Sequence, residues 1–229
     1  MEALNLFSDF ISLFYPNYCY GCKGTLVKGE DTLCTRCLFD LPKTNYHLAD
    51  SSPIKERLSG RLHLDYALAF LKFRKEGIVQ HLLHELKYNN RPEVGIRLGK
   101  QYGKELKENC IDAFDVIVPV PLHESRRRKR GYNQSSMFAE GLSESLGIAW
   151  DESISLRTSS TTTQTKKTKA ERWNNVKDVF AVRNTEDIKN KRILLVDDVI
   201  TTGATIEACG RHLLDQGCTL SIACIAEAQ

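Results

Sequence analysis

ILLVDDVITTGAT, residues 193–205, opens on four apolar residues. It then sets two carboxylates side by side at Asp197 and Asp198 and turns through Thr201, Thr202 and Gly203 into a segment with helical spacing. A short Ile/Leu/Val run of this kind reads as a strand buried on both faces. A turn that leads into a helix collects anions, because the first N–H groups have no partner within the helix and the dipole puts its positive end there. Carboxylate and anion repel each other by roughly 4 kcal/mol per charge pair at about 4 Å and an effective dielectric near 20. A ligand held by both must therefore offer hydrogen-bond donors to the acids and a negative group to the turn.

Several familiar reasons for acids after an apolar strand fail here. A Walker B strand needs a partner G-x-x-x-x-G-K-[ST] loop, a dinucleotide fold needs G-x-G-x-x-G, and the chain contains neither. A phospho-acceptor receiver domain needs about a hundred more residues after its acids, yet Asp198 stands close to Gln229, the last residue of the sequence. A ribose 5-phosphate fits. Its neighbouring hydroxyls donate to Asp197 and Asp198, which as ionised carboxylates are acceptors and not donors. Its phosphate meets the backbone of Thr201, Thr202, Gly203, Ala204 and Thr205, where the threonine hydroxyls add donors and Gly203 allows close approach.

On either side, strand and helix signals alternate. Residues 64–73 and 115–121 read as strands, as do 192–199 and 218–226. Residues 76–87, a segment opening at Pro92, 134–146 and 204–216 read as helices, the last two stopped by Gly147 and Gly217. This order implies an α/β fold over 46–229, a parallel sheet with helices on both faces, with ligands bound outside the carboxyl ends of the strands. Residues 158–175 are the exception. Thr158 to Thr165 are all Ser, Thr or Gln, and lysines 166, 167 and 169 follow. The segment reads as mobile, either an active-site lid or a plain surface loop.

The first fifteen residues place Leu4, Phe7, Ile11 and Phe14 at helical spacing, an amphipathic helix without the basic residues of a signal peptide. No apolar run reaches the roughly 18 residues of a membrane span. A cytoplasmic, reducing setting is the expectation, and there disulfides are rare. Four of the eight cysteines form two C-x2-C pairs, Cys19 with Cys22 and Cys34 with Cys37. Four thiolates close a tetrahedral Zn2+ site with no open position, so the metal is structural, and residues 16–45 form a zinc module that depends on it to fold. Cys110, Cys209, Cys218 and Cys224 lie among apolar residues and read as buried free thiols. With a net charge of +3, overall charge says little about partners.

The strand, the acid pair and the T-G-x-T turn resemble the phosphoribosyl pyrophosphate (PRPP) motif of type I phosphoribosyltransferases. That resemblance asks for a second, pyrophosphate-binding segment. PLHESRRRKRGYNQ, residues 121–134, offers five consecutive cations at 126–130, of which Arg130, with Gly131, is the candidate. The same run also suits a solvated face or nucleic acid. LKY at 86–88, VPVP, RGYNQ and the Gln164-Thr165 and Glu171-Arg172 pairs, together with the four-cysteine module, resemble the ComF family of competence-associated, phosphoribosyltransferase-like proteins. The resemblance implies Mg2+ with PRPP. It also implies transfer of the phosphoribosyl group with release of pyrophosphate, and a lid carrying Arg157, Gln164 and Arg172. Asp197 and Asp198 become the catalytic pair. It further implies a role in DNA uptake during natural transformation, and a second reading as an adaptor for single-stranded DNA and a competence helicase. The histidines stand in no motif that requires one as a base.

Overall fold

The computed structural model describes residues 16–109, 111, 113–157, 179–183 and 185–228. The helix expected over 1–15 and the 158–175 segment lie outside them, as does Cys110. In chain order the elements are α1 (Thr35–Phe39), α2 (Pro53–Leu58), β1 (Ala67–Lys72), α3 (Ile78–Tyr88), α4 (Pro92–Glu108), β2 (Val116–Pro119), α5 (Glu124–Arg130), α6 (Gln134–Leu146), β3 (Ser155–Arg157), β4 (Phe180–Val182), α7 (Thr185–Ile188), β5 (Arg192–Ile200), α8 (Ala204–Leu214) and β6 (Thr219–Glu227).

Four strands make one parallel sheet in the order β1-β6-β5-β2. The inner strands are apolar almost throughout because both faces are covered. Leu194 and Val196 face one core with Phe70 and Ile225, and α3, α4 and α6 close that side through Leu86, Tyr102 and Phe138. Ile193 and Leu195 face the other core with Ala69 and Ile222, where α2 and α8 supply Leu58, Ile206 and Leu213. The α/β architecture, with helices on both faces of a parallel sheet, is thus the one the sequence implies.

Helices α4 and α6 meet backbone to backbone. A Cβ at Gly99 would lie 2.4 Å from the Phe138 carbonyl oxygen, and one at Gly141 would lie 2.1 Å from that of Ile96. The four-cysteine segment is seated on α3, since Cys19, Leu33, Cys37 and Leu41 share a core with Val79, Leu82 and Leu83. Tyr20 donates its hydroxyl to Glu93 Oε1 at 2.8 Å, and Lys23 pairs with Glu85.

The basic run forms a helix, α5. The His123 side chain caps it by accepting from the Ser125 amide, and Gly131 ends it at φ +82°. Arginine is a good helix former, and one side chain at the N-cap is enough to start a short turn on a stretch this rich in it. Helix α2 and the antiparallel β3–β4 ribbon are too short to leave a periodic signal.

Candidate functional site

Strand β5 carries Asp197 and Asp198 at its carboxyl end, beside the end of β2. Ser135, the second residue of α6, donates its hydroxyl to Asp197 Oδ1 at 2.9 Å, and the Asp198 amide donates to the same oxygen at 2.8 Å. Helix α6 is aimed here by its cap, Asn133, whose Nδ2 donates to the Val120 carbonyl at 3.0 Å. Asp198 has a different partner: Lys87 Nζ, at the end of α3, stands 3.0 Å from its Oδ2. Ser135 and Lys87 are site residues that sequence reasoning missed. The helix start after β2 was the available signal for Ser135, whereas Lys87 stood within LKY with no chemical sign of its partner.

The surrounding protein and the charge on Asp198 push the Asp197 carboxyl up to about 7, against the bonds from Ser135 and the Asp198 amide. Between about pH 4 and 7 the folded chain thus keeps a proton that the unfolded chain has released, so this group's contribution to stability falls as pH rises through that window and is level above it. Asp197→Asn is expected to flatten that slope and to melt above the parent at pH 8, its amide oxygen still accepting both bonds. Thermal melts from pH 4.5 to 8.5 measure it, and parallel curves for the two proteins contradict it.

The turn after β5 leaves Thr201 and Thr202 exposed and ends at Gly203, φ +81°, the N-cap of α8. That dihedral favours glycine, and a Cβ there would also stand 2.7 Å from Leu58 Cδ2 and push that methyl aside. Thr202 Oγ1 accepts from the Ala204 amide at 3.4 Å. The opening amides of α8, from Ala204 and Thr205 onward, are those a helix leaves without internal partners. Acid pair and turn thus sit at the same end of the same strand.

Arg130 donates to Gln134 Oε1 at 2.7 Å and lies 5.5 Å over the Tyr88 ring, one residue from Lys87. Its neighbours Arg127 and Arg128 pair with Glu152 and Glu124. Arg157, at the end of β3, stacks 5.4 Å over Phe180. Burial lowers its pKa, Arg126 adds to that, and Asp197 opposes it, which sets Arg157 within electrostatic reach of both. Gln164 and Arg172 lie outside the described residues.

The four thiols of Cys19, Cys22, Cys34 and Cys37 lie within 4.8 Å of one another. Zn–S bonds of about 2.3 Å in a tetrahedron put sulfurs roughly 3.8 Å apart, and Cys22 and Cys34 are 3.8 Å apart. The Cys34, Gly24 and Cys37 amides donate to the sulfurs of Cys19, Cys22 and Cys34 at 3.3–3.4 Å. Burial pushes the Cys19 thiol up, but the amides of Cys34, Cys22 and Gly21 outweigh it and bring it to about 7, while burial and the neighbouring thiols push Cys37 up. Thiolates crowded this closely call for a cation, and the donor set fits a structural zinc.

The sheet, with acids and a glycine-capped helix start at its carboxyl edge, defines a phosphoribosyltransferase-like domain, and residues 132–229 match the phosphoribosyl transferase domain family. Competence protein F of Haemophilus influenzae is 36% identical over 225 residues, 89% of this chain and 93% of that protein. DNA utilization protein YhgH of Shigella flexneri is 29% identical over 237 residues, 93% of this chain and 98% of that protein. Glutamine phosphoribosylpyrophosphate amidotransferase from B. subtilis, solved with ADP and GMP, is a looser likeness. Its TM-score is 0.44 at 22% identity, over 62% of this chain and 30% of that one. The chain belongs to the ComF family. Among the described residues no helix is long and apolar enough to cross a membrane.

Proposed function

We propose that the chain binds PRPP with Mg2+ at the carboxyl edge of the sheet and acts in the cytoplasm in natural competence. The observation that carries this reading is the pairing, on one strand end, of two hydrogen-bond-accepting acids with a glycine-capped helix start. Asp197 and Asp198 take the ribose hydroxyls. Thr201, Thr202, Gly203, Ala204 and Thr205 take the 5′-phosphate, and Arg130 with Gly131 the pyrophosphate. Lys87 adds a cation beside Asp198. In transfer, a nucleophile on the acceptor attacks the anomeric carbon as the C–O bond to pyrophosphate breaks, so cations at the leaving group lower the barrier. Mg2+ supplies charge neutralisation of the phosphates. Of the three residues that the family resemblance assigns to a lid, Arg157 is among the described residues and stands at the end of β3. The four cysteines hold structural Zn2+.

A second reading, an adaptor for single-stranded DNA and a competence helicase, draws on α5, where Arg126 and Lys129 are exposed. One set of variants separates the two. Asp198→Asn is expected to weaken PRPP binding about tenfold or more, read as lost thermal protection, and to abolish pyrophosphate release in an acceptor screen. DNA binding, if present, is expected to weaken steeply with salt and to fall in Arg126→Ala and Arg128→Ala while surviving Asp198→Asn. Full PRPP protection in Asp198→Asn contradicts the first reading.

A further inference from the structure

Two arginines from outside the matched domain hold the turn from behind. Arg57, on α2, donates through one nitrogen to the Thr201 carbonyl and through the other to Glu227 Oε1. Glu227, the last residue of β6, is 2% exposed, and its second oxygen accepts from the Tyr46 hydroxyl at 2.5 Å. Arg61 donates to the Thr202 carbonyl at 3.3 Å, to the Arg57 carbonyl at 2.7 Å and to Glu207 Oε2 in the first turn of α8 at 2.9 Å.

The geometry of the peptide group turns these bonds into a statement about the opposite face of the turn. No described peptide is cis, and in a planar trans peptide the C=O and the following N–H point in opposite directions. With the carbonyls of Thr201 and Thr202 drawn to the arginines, the amides of Thr202 and Gly203 face away from them. Successive N–H groups facing one way are what an anion-binding concavity requires. A guanidinium suits this task because its planar fork can bond a carbonyl and a carboxylate at once. Glu227 in turn is anchored by Tyr46, so the fork has a fixed base on the sheet.

We propose that Arg57, locked by Glu227 and Tyr46, is a positioning residue that aims the amides of the turn at the ligand's 5′-phosphate, with Arg61 as a second arm. This rests on the reading of the turn as the 5′-phosphate site. Arg57 acts through the backbone of Thr201 and does not touch the ligand. It comes from the segment between the cysteine module and β1, so that segment helps to build the binding site as well as to cover the sheet.

Calorimetry on the full chain with two probes, ribose 5-phosphate and pyrophosphate with Mg2+, tests it. Arg57→Gln is expected to weaken ribose 5-phosphate about tenfold and pyrophosphate less than about twofold, and Arg57→Lys to recover part of the loss. A merely structural arginine gives equal losses for both probes, and that result overturns the proposal. So does a variant that binds ribose 5-phosphate as the parent does. Should Arg57→Gln fail to fold, Tyr46→Phe removes a single bond to Glu227 and is expected to weaken ribose 5-phosphate about threefold with pyrophosphate unchanged. No selective loss there overturns it as well. A parent chain that binds no ribose 5-phosphate overturns the 5′-phosphate site and this proposal together. A parent that binds it, with variants that bind equally well, overturns the role of Arg57 alone.

Discussion

Cys37→Ser is expected to release zinc, unfold the residues around the four thiols and lower the melting temperature by about 10 °C or more. The reasoning starts from how little else holds that region. Apart from the thiols, its buried apolar side chains are Leu33 and Leu41. Sulfurs within 4.8 Å of one another repel once ionised, and a structural zinc site contributes on the order of 10 kcal/mol of folding free energy. The loss does not stay local. Cys19, Leu33, Cys37 and Leu41 share a core with Val79, Leu82 and Leu83 of α3, and α3 carries Lys87 to Asp198. PRPP affinity is therefore expected to fall with the metal. Zinc content by atomic absorption, with melts before and after chelation, measures both effects. A chain that contains no zinc as purified, or that melts unchanged after chelation, contradicts the metal-dependent module.

Gly141→Ala is expected to destabilise the chain by about 2–4 kcal/mol, or about 5–15 °C in melting temperature. In an exposed helix the same change stabilises by about 1 kcal/mol, so the sign itself is informative. At this position the new Cβ meets the Ile96 carbonyl oxygen at 2.1 Å, the Lys100 amide nitrogen at 2.8 Å and the Gly99 Cα at 2.9 Å. All three are backbone atoms and none can swing aside, so α4 and α6 must separate and give up contacts along the shared core of Tyr102 and Phe138. Glu144→Ala, on the same helix but with its side chain exposed in an ion pair to Lys100, is expected to cost less than about 1 kcal/mol. Equal melting temperatures for the two variants contradict the close helix contact.

What was legible in the sequence was local. ILLVDDV announces a buried strand ending in acids, TTGAT a turn into a helix, and two C-x2-C pairs a thiol cluster, because each lies within one element or knuckle. The contacts that finish the site join distant parts of the chain. Lys87 and Asp198 meet only because α3 crosses the sheet, and Arg57 meets Thr201 only because α2 covers the opposite face. Neither pairing leaves a pattern in neighbouring residues. The shape of the basic run was hidden for another reason. Arginine and lysine are good helix formers and His123 supplies a cap, so the run coils into α5, and two of its side chains turn to Glu152 and Glu124. Glycines 95, 99, 103 and 141 sit inside helices for the sake of a helix–helix contact that only the folded chain displays.

The central claim is that the paired acids and the glycine-capped turn bind one ligand together. Isothermal titration of the full chain with PRPP and Mg2+ tests it most directly. The account predicts a saturable, single-site heat that is lost in Asp198→Asn. No heat and no melting shift at millimolar PRPP would contradict it.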